Sequence, residues 1–170
     1  IANGNLLTEF KQLIAPEHKK IFLISLILCI FGMSAYWYTY SWLPTYLADE
    51  RGLALIGSTI GVIIIQCGDF TGYTTFGYVS EKLGRRPAFT IYSFIMAISI
   101  SMITLCWNQI LEIPYLILLF MFLTGFGTGF FGGFGALFSE LFPTKIRNTA
   151  VGTVFNLARG IQFITPSIIT

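Results

Sequence analysis

The sequence predicts an all-α membrane protein, a polytopic helical bundle with five transmembrane spans. Composition is the first ground. Hydrophobic residues make up 55% of the 170 and charged residues only 11%, where a soluble domain carries about a quarter charged, and mean hydropathy is +0.75. Uncharged length is the second. Residues 21–48, 88–111 and 113–139 contain no Asp, Glu, Lys, Arg or His, and each run exceeds the roughly 20 residues that a helix needs to cross a bilayer. The third is a lopsided distribution of Lys and Arg between alternate loops.

Residues 1–20 form an amphipathic lead-in. Leu6, Phe10, Leu13 and Ile14 share one helical face, Glu9, Lys11 and Gln12 lie on the other, and Pro16 ends the pattern; such a helix lies in the membrane interface. The spans follow at about 21–47, 57–79, 88–107, 113–138 and 148–170, the last still apolar at Thr170, so the bundle is expected to be incomplete. Lipid provides no hydrophobic push between helices, and close packing there relies on small residues. Gly57, Gly61, Gly68 and Gly72 in the second span, and Gly125, Gly129 and Gly133 in the fourth, are spaced by four within each pair or series. These two spans are therefore expected to pack closely, and the glycine-free third span to face lipid.

Eight basic residues (Lys11, Lys19, Lys20, Lys82, Arg85, Arg86, Lys145, Arg147) fall on one side of this topology, against Arg51 alone on the other. Cytoplasmic loops are the basic ones, so the N-terminal segment and the loops at 80–87 and 140–147 are expected in the cytoplasm. Cys29, Cys67 and Cys106 lie inside spans and match no zinc or redox spacing. His18 is the one histidine, at the cytoplasmic edge. No metal, cofactor or enzyme chemistry is expected from this inventory, and a net charge of +2 gives no reason to expect a nucleic-acid partner.

Two loops carry motifs. The first runs Gly77-Tyr-Val-Ser-Glu81-Lys82-Leu-Gly84-Arg85-Arg86-Pro87. Gly77 permits close approach of a helix end, Glu81 suits the positive N-terminus of a neighbouring helix, Gly84 makes a tight turn, and Arg85 and Arg86 suit an anionic cytoplasmic surface. This loop resembles the signature of the major facilitator superfamily, with Glu81 and Lys82 where that family usually has Asp and Arg. The second runs Glu140-Leu-Phe-Pro143-Thr144-Lys145-Ile-Arg147, with Gly152 five residues on. It resembles the junction of metabolite–proton and aromatic-acid–proton symporters in the same superfamily. The resemblance implies twelve helices in two halves. The basic lead-in and Trp42-Leu43-Pro44-Thr45-Tyr46-Leu47, followed by Arg51-Gly52-Leu53, resemble helix seven and its approach, so helices seven to eleven are expected. The sugar-porter signature is absent before Glu140.

Two charges sit deep in spans. Asp69 lies twelve residues after Gly57, and Arg159 twelve after Arg147, about 18 Å along a helix. A charge at such depth costs about 2.5–3.5 kcal/mol on insertion scales, so it is expected to face a cavity or a partner. Gln66, Asp69 and Tyr73 share one face, and Asn156, Arg159 and Gln162 are expected to share another. Tyr36 and Tyr40, one turn apart, are candidate pocket residues and equally candidate aromatic-belt residues.

The expected function is secondary active transport of a small solute, as a proton-coupled symporter of an aromatic or short carboxylate. Arg159 would attract the anion, Asp69 would carry the proton, and the two would form one unit. Facilitated transport or proton-driven efflux of a sugar or drug on the same fold is the alternative. A channel should repeat a pore loop and a membrane enzyme should cluster His, Cys or carboxylates; neither pattern is seen. The expected partners are a small-molecule substrate, protons, membrane lipid and the missing half of the same polypeptide, in a multi-pass inner or plasma membrane protein. Topology has a direct check: in a cysteine-free background, position 80 should resist labelling from outside the cell and position 108 should accept it. The reverse pattern contradicts the orientation.

Overall fold

A computed structural model describes residues 6–52, 59–111 and 113–162. Leu53, Gly57, Glu112 and the end of the fifth span after residue 162 lie outside the described residues. Among the described residues all regular structure is helical, with no strand. The chain divides into two compact units, one of Ile1–Trp37 with Phe134–Thr170 and one of Tyr38–Gly133.

In the first unit, α1 (Leu6–Ile14) and α2 (Pro16–Trp37) meet at Ala15. Pro16 opens α2, a position where its missing N–H costs nothing, so this helix begins five residues earlier than the uncharged run. On α1 Leu13 is buried, while Phe10 and Ile14 of the expected apolar face are exposed along with Lys11 and Gln12. α2 packs on α9 (Arg147–Ile161). The buried stripes are made of small residues: Ser25, Cys29 and Gly32 beside Met33 on α2, and Ala150, Val154 and Ala158 on α9. Leu23, Ile24, Ile27, Leu28 and Phe31 of α2 are exposed, an open apolar surface on a helix apolar enough to span. Phe134 and Phe138 of α8 (Phe131–Leu141) stack at 5.4 Å, and Phe155 of α9 meets the Phe138 ring edge-on at 5.7 Å.

The second unit begins with a π-helical turn, Tyr38–Trp42, which leads into α3 (Leu43–Asp49). The expected single span from 21 to 47 is therefore interrupted. Pro44 lacks the N–H that would bond the carbonyl four residues back, at Tyr40, and its ring crowds that carbonyl; a widened turn relieves both. α4 (Gly61–Leu83) and α5 (Arg85–Leu105) are joined by one residue, Gly84, whose φ of +92 is open to glycine and strained for other residues. α6 (Trp107–Leu111) leads to α7 (Pro114–Gly127) and a 3-10 turn, Thr128–Phe130, before α8. The fourth span is thus three helical pieces. Leu43, Leu47, Ile65, Ile103, Trp107, Ile110, Ile117 and Met121 form one buried cluster.

α4 lies most extensively against α7, and the contact is backbone on backbone. A Cβ added at Gly68 or Gly72 would fall on the carbonyl of Phe122 or Phe126, and one at Gly125 on the carbonyl of Ile65. The close packing expected of the second and fourth spans is present. The third span is mostly exposed, and it also packs on one face, which its lack of glycine does not suggest. α5 buries Ala88, Tyr92, Met96, Ser99 and Ile103 at helical spacing and packs on α7, where Gly127 makes room for Met96. Glycine on one partner suffices for that approach. Only the other face of α5, with Ile91, Phe94, Ile98 and Met102, is exposed.

Pro16–Asp49, Arg85–Leu105 and Tyr115–Leu141 are long and apolar enough to cross a membrane. α4 has the length, 23 residues or about 35 Å, but dilutes its apolar surface with Gln66, Asp69 and threonines. Ser80 is 6% exposed and donates to the Gly77 carbonyl at 2.8 Å. A cysteine there resists any reagent, so exposed Lys82 is the better labelling position in the 77–87 loop, with exposed Asn108 as the position to compare.

Gly125→Ala is expected to destabilise the full-length protein by about 3 kcal/mol, since overpacking of ordinary cores costs about 1–3 kcal/mol and here the obstacle is backbone. An added Cβ at Gly135 meets nothing within 4 Å, so Gly135→Ala should be neutral or slightly stabilising. Thermal unfolding in detergent measures both, and equal midpoints would refute the close contact.

Candidate functional site

The missing side chains of Gly68 and Gly72 let the α7 backbone come up against α4, and Asp69 stands at the edge of that contact. Ile65, Gly68, Gly72, Phe76 and Ser80 form the buried stripe of α4, while Gln66 and Tyr73 are exposed and Asp69 is half-buried between the two surfaces. The polar face expected for Gln66, Asp69 and Tyr73 is present. Gly132 lies against the Tyr73 ring, where a Cβ would approach Cδ1 to 2.9 Å.

Thr128 completes this site. It is the first residue of the 3-10 turn, its side chain is fully buried, and its hydroxyl donates to the Asp69 carboxylate. The same Oγ1 lies 2.5 Å from the Gly125 carbonyl oxygen. A half-buried carboxylate thus receives a hydrogen bond from a hydroxyl on the neighbouring segment, as a polar group withdrawn from water requires. Nearby threonines are occupied locally: Thr71 and Thr74 donate to carbonyls of their own helix, and Thr75 meets the Tyr92 hydroxyl at 2.8 Å.

Arg159 belongs to the other unit, on α9, and is exposed there with Asn156. Gln162 departs from the face expected for these three. It lies six residues after Asn156, about 120° around the helix, and it is 5% exposed. Its amide donates to the Ile30 carbonyl at 3.3 Å and accepts from the Ser34 hydroxyl at 3.3 Å, tying α9 to α2. Asn156 instead lines an open groove of about 640 Å³ with Phe10, Thr149, Gly152, Thr153 and Leu157. Tyr36 and Tyr40 do not share one regular α-turn, because the α-helix ends at Trp37 and the π turn starts at Tyr38.

The 77–87 loop matches its expectation at Gly84 and departs from it at Gly77. Space around Gly77 is open, with nothing within 4 Å of an added Cβ, so no backbone approaches it among the described residues. Glu81 and Arg86 are exposed and Arg85 is half-buried. Lys82 lies 4.4 Å over the Tyr78 ring. At the second junction, Pro143 follows the end of α8, and its carbonyl accepts the Ile146 N–H at 3.1 Å to close a turn. Phe142 and Ile146 anchor that turn in the core. Glu140 is exposed at the end of α8, Arg147 opens α9 with Nη2 3.4 Å from the Thr144 hydroxyl, and Gly152 is half-buried with room for a Cβ.

Two further candidates depend on contacts between residues distant in sequence. Thr128 is one; the glycines around it drew attention to packing, and a threonine four residues after Thr124 was the available signal. The other is a clamp on Arg51. Its Nε donates to the Tyr46 hydroxyl at 2.7 Å, and its guanidinium lies 5.1 Å from both the Tyr46 and Trp107 rings. Tyr38, Trp42 and Tyr46 stack in sequence at 4.6 Å per step. Spacing by four was visible in the sequence and passes for an aromatic belt.

A family model described as Major Facilitator Superfamily matches residues 3–166. A Haemophilus influenzae protein named for metabolite transport is 30% identical over 128 residues, 75% of this chain and 30% of the relative. The cis,cis-muconate transport protein of Acinetobacter baylyi is 28% identical over 153 residues, 90% of this chain and 36% of its own. The sialic acid transporter of Escherichia coli is 28% identical over 153 residues, 88% and 36%. The chain spans about a third of the length of these curated relatives. No solved structure matches it significantly. Family and relatives alike are transport proteins rather than enzymes.

Proposed function

The chain belongs to the Major Facilitator Superfamily, and from that premise we propose that the whole protein is a proton-coupled symporter of a small organic anion. The observation that carries this reading is a single one. Asp69, the only acidic residue between Arg51 and Glu81, is half-buried on a span-length helix and receives a hydrogen bond from a fully buried hydroxyl. A carboxylate kept at such cost and so supported is suited to bind and release a proton. Arg159 is the complementary cation, and its place in this reading is to attract the substrate carboxylate. Muconate and sialic acid, named for two relatives, both carry carboxylates, which supports an anionic substrate.

The remaining parts of the reading follow from the chain's charges. Five spans with the N-terminal segment and both motif loops in the cytoplasm agree with the eight-to-one distribution of loop Lys and Arg. The rest of the polypeptide supplies the other wall of the substrate path, in a cell membrane. The 77–87 loop acts as a conformational latch, with exposed Glu81 available to a helix end outside the described residues.

Uptake by the full-length protein in vesicles, with and without an imposed pH gradient, tests the coupling. Asp69→Asn should lose proton-driven accumulation and keep downhill exchange, while Arg159→Ala should lose anion binding. Accumulation by Asp69→Asn equal to that of the parent would leave Asp69 without a coupling role. For the latch, Glu81→Ala should lower turnover about tenfold, roughly 1.4 kcal/mol of activation free energy, with substrate affinity within a few-fold. A large loss of equilibrium binding at normal exchange rate would place Glu81 in the binding site instead.

A further inference from the structure

We propose that Thr128 is the positioning residue of Asp69 and transmits its protonation state to the 3-10 turn of the fourth span. This rests on the reading of Asp69 as the proton carrier and adds the element that responds to it. A threonine hydroxyl has one proton and two acceptor lone pairs. In this site two acceptors compete for that proton, the Asp69 carboxylate and the Gly125 carbonyl, 2.5 Å from Oγ1. The side chain is fully buried, so water does not relieve the competition.

Protonation redistributes these bonds. With Asp69 ionised, the hydroxyl proton points to the carboxylate and holds it against α7. When a proton joins the carboxylate, the new O–H donates to Thr128 Oγ1, and the hydroxyl proton turns to the Gly125 carbonyl. No proton is gained or lost beyond the one on Asp69. The Gly125 carbonyl already accepts the Thr128 backbone N–H where α7 gives way to the 3-10 turn, so the added bond falls at the point where the span changes helical geometry. Ser and Thr bonds to a preceding carbonyl bend helices. Of the elements packed on α4, α7 and the 3-10 turn carry no charged side chain. α5 carries Arg85 and Arg86 at its start and Tyr92, whose hydroxyl meets Thr75; on α4 itself Tyr73 lies one turn away. Among the described residues of these packed elements, the cations are Arg85 and Arg86 at the start of α5 and Lys82 at the end of α4, all far along the chain from Thr128.

Full-length protein in lipid vesicles tests this with Thr128→Val and Thr128→Ser. Infrared spectra at acid pH carry a protonated-carboxyl band for Asp69, identified by its loss in Asp69→Asn. The band should shift in Thr128→Val and stay in place in Thr128→Ser. Accumulation of cis,cis-muconate or sialic acid, whichever the parent takes up, should fall about tenfold in the valine protein, the scale of a hydrogen bond to a charged group, with KM within twofold and serine restoring it. An unmoved band in Thr128→Val overturns the proposal. If the valine protein does not reach the membrane, Thr128→Cys, a weak donor, must shift the band in the same direction, and an unmoved band there overturns it equally. A shifted band beside normal proton-driven accumulation in Asp69→Asn retains the Thr128–Asp69 bond and removes the coupling role of Asp69.

Discussion

The contact of α4 with α7 and the 3-10 turn through Gly68, Gly72, Gly125 and Gly129 is the constraint on which the rest of the second unit depends. In lipid, apolar side chains gain little by touching one another rather than acyl chains, so helices associate by van der Waals fit and by hydrogen bonds. Glycine serves both ends here. It lets two backbones meet, and it brings a polar side chain at the edge of one helix within reach of a hydroxyl on the other. Asp69 meets Thr128 because the helices are that close; a larger residue at 68, 72 or 125 would separate the pair along with the backbones.

The same economy explains why the fourth span is not one continuous helix. Gly127 accommodates Met96 of α5, while Gly129 accommodates Gly72 of α4. Thr128 between them is held to Asp69 and sits at the entry to the 3-10 turn. A segment pinned from two directions by backbone contact tightens locally, and the tightening falls beside the Asp69 carboxylate. Short 3-10 and π segments inside long helices often mark functional positions. The π turn at Tyr38–Trp42 is the counterpart in the first span, with Pro44 as its local cause.

Much of this was legible in the sequence. Apolar length and composition picked out the three helices long and apolar enough to span, glycine spacing identified the two that pack most closely, and Gly84 was recognisable as a turn because its role is local. That α1 is a helix followed from periodicity alone. What escaped depends on partners distant in sequence. The Thr128–Asp69 bond joins residues 59 apart. Residue type alone puts Gln162 on a polar face, whereas its amide bonds Ile30 and Ser34 of α2. The packing face of α5 carries no glycine to mark it, because the glycine that matters, Gly127, belongs to its partner. Helix breaks at Tyr38 and Thr128 were invisible to hydropathy, which averages over them.

The coupling of a proton to an anion through Asp69 is tested most directly by proton movement itself. Vesicles containing the full-length protein, with no imposed gradient and a pH-sensitive dye outside, receive a pulse of substrate anion while both fluxes are followed. Coupling through Asp69 predicts that external pH rises as the anion enters, and that Asp69→Asn exchanges anion with no pH change. Anion entry without a pH rise in the parent, or an undiminished rise in Asp69→Asn, would contradict it.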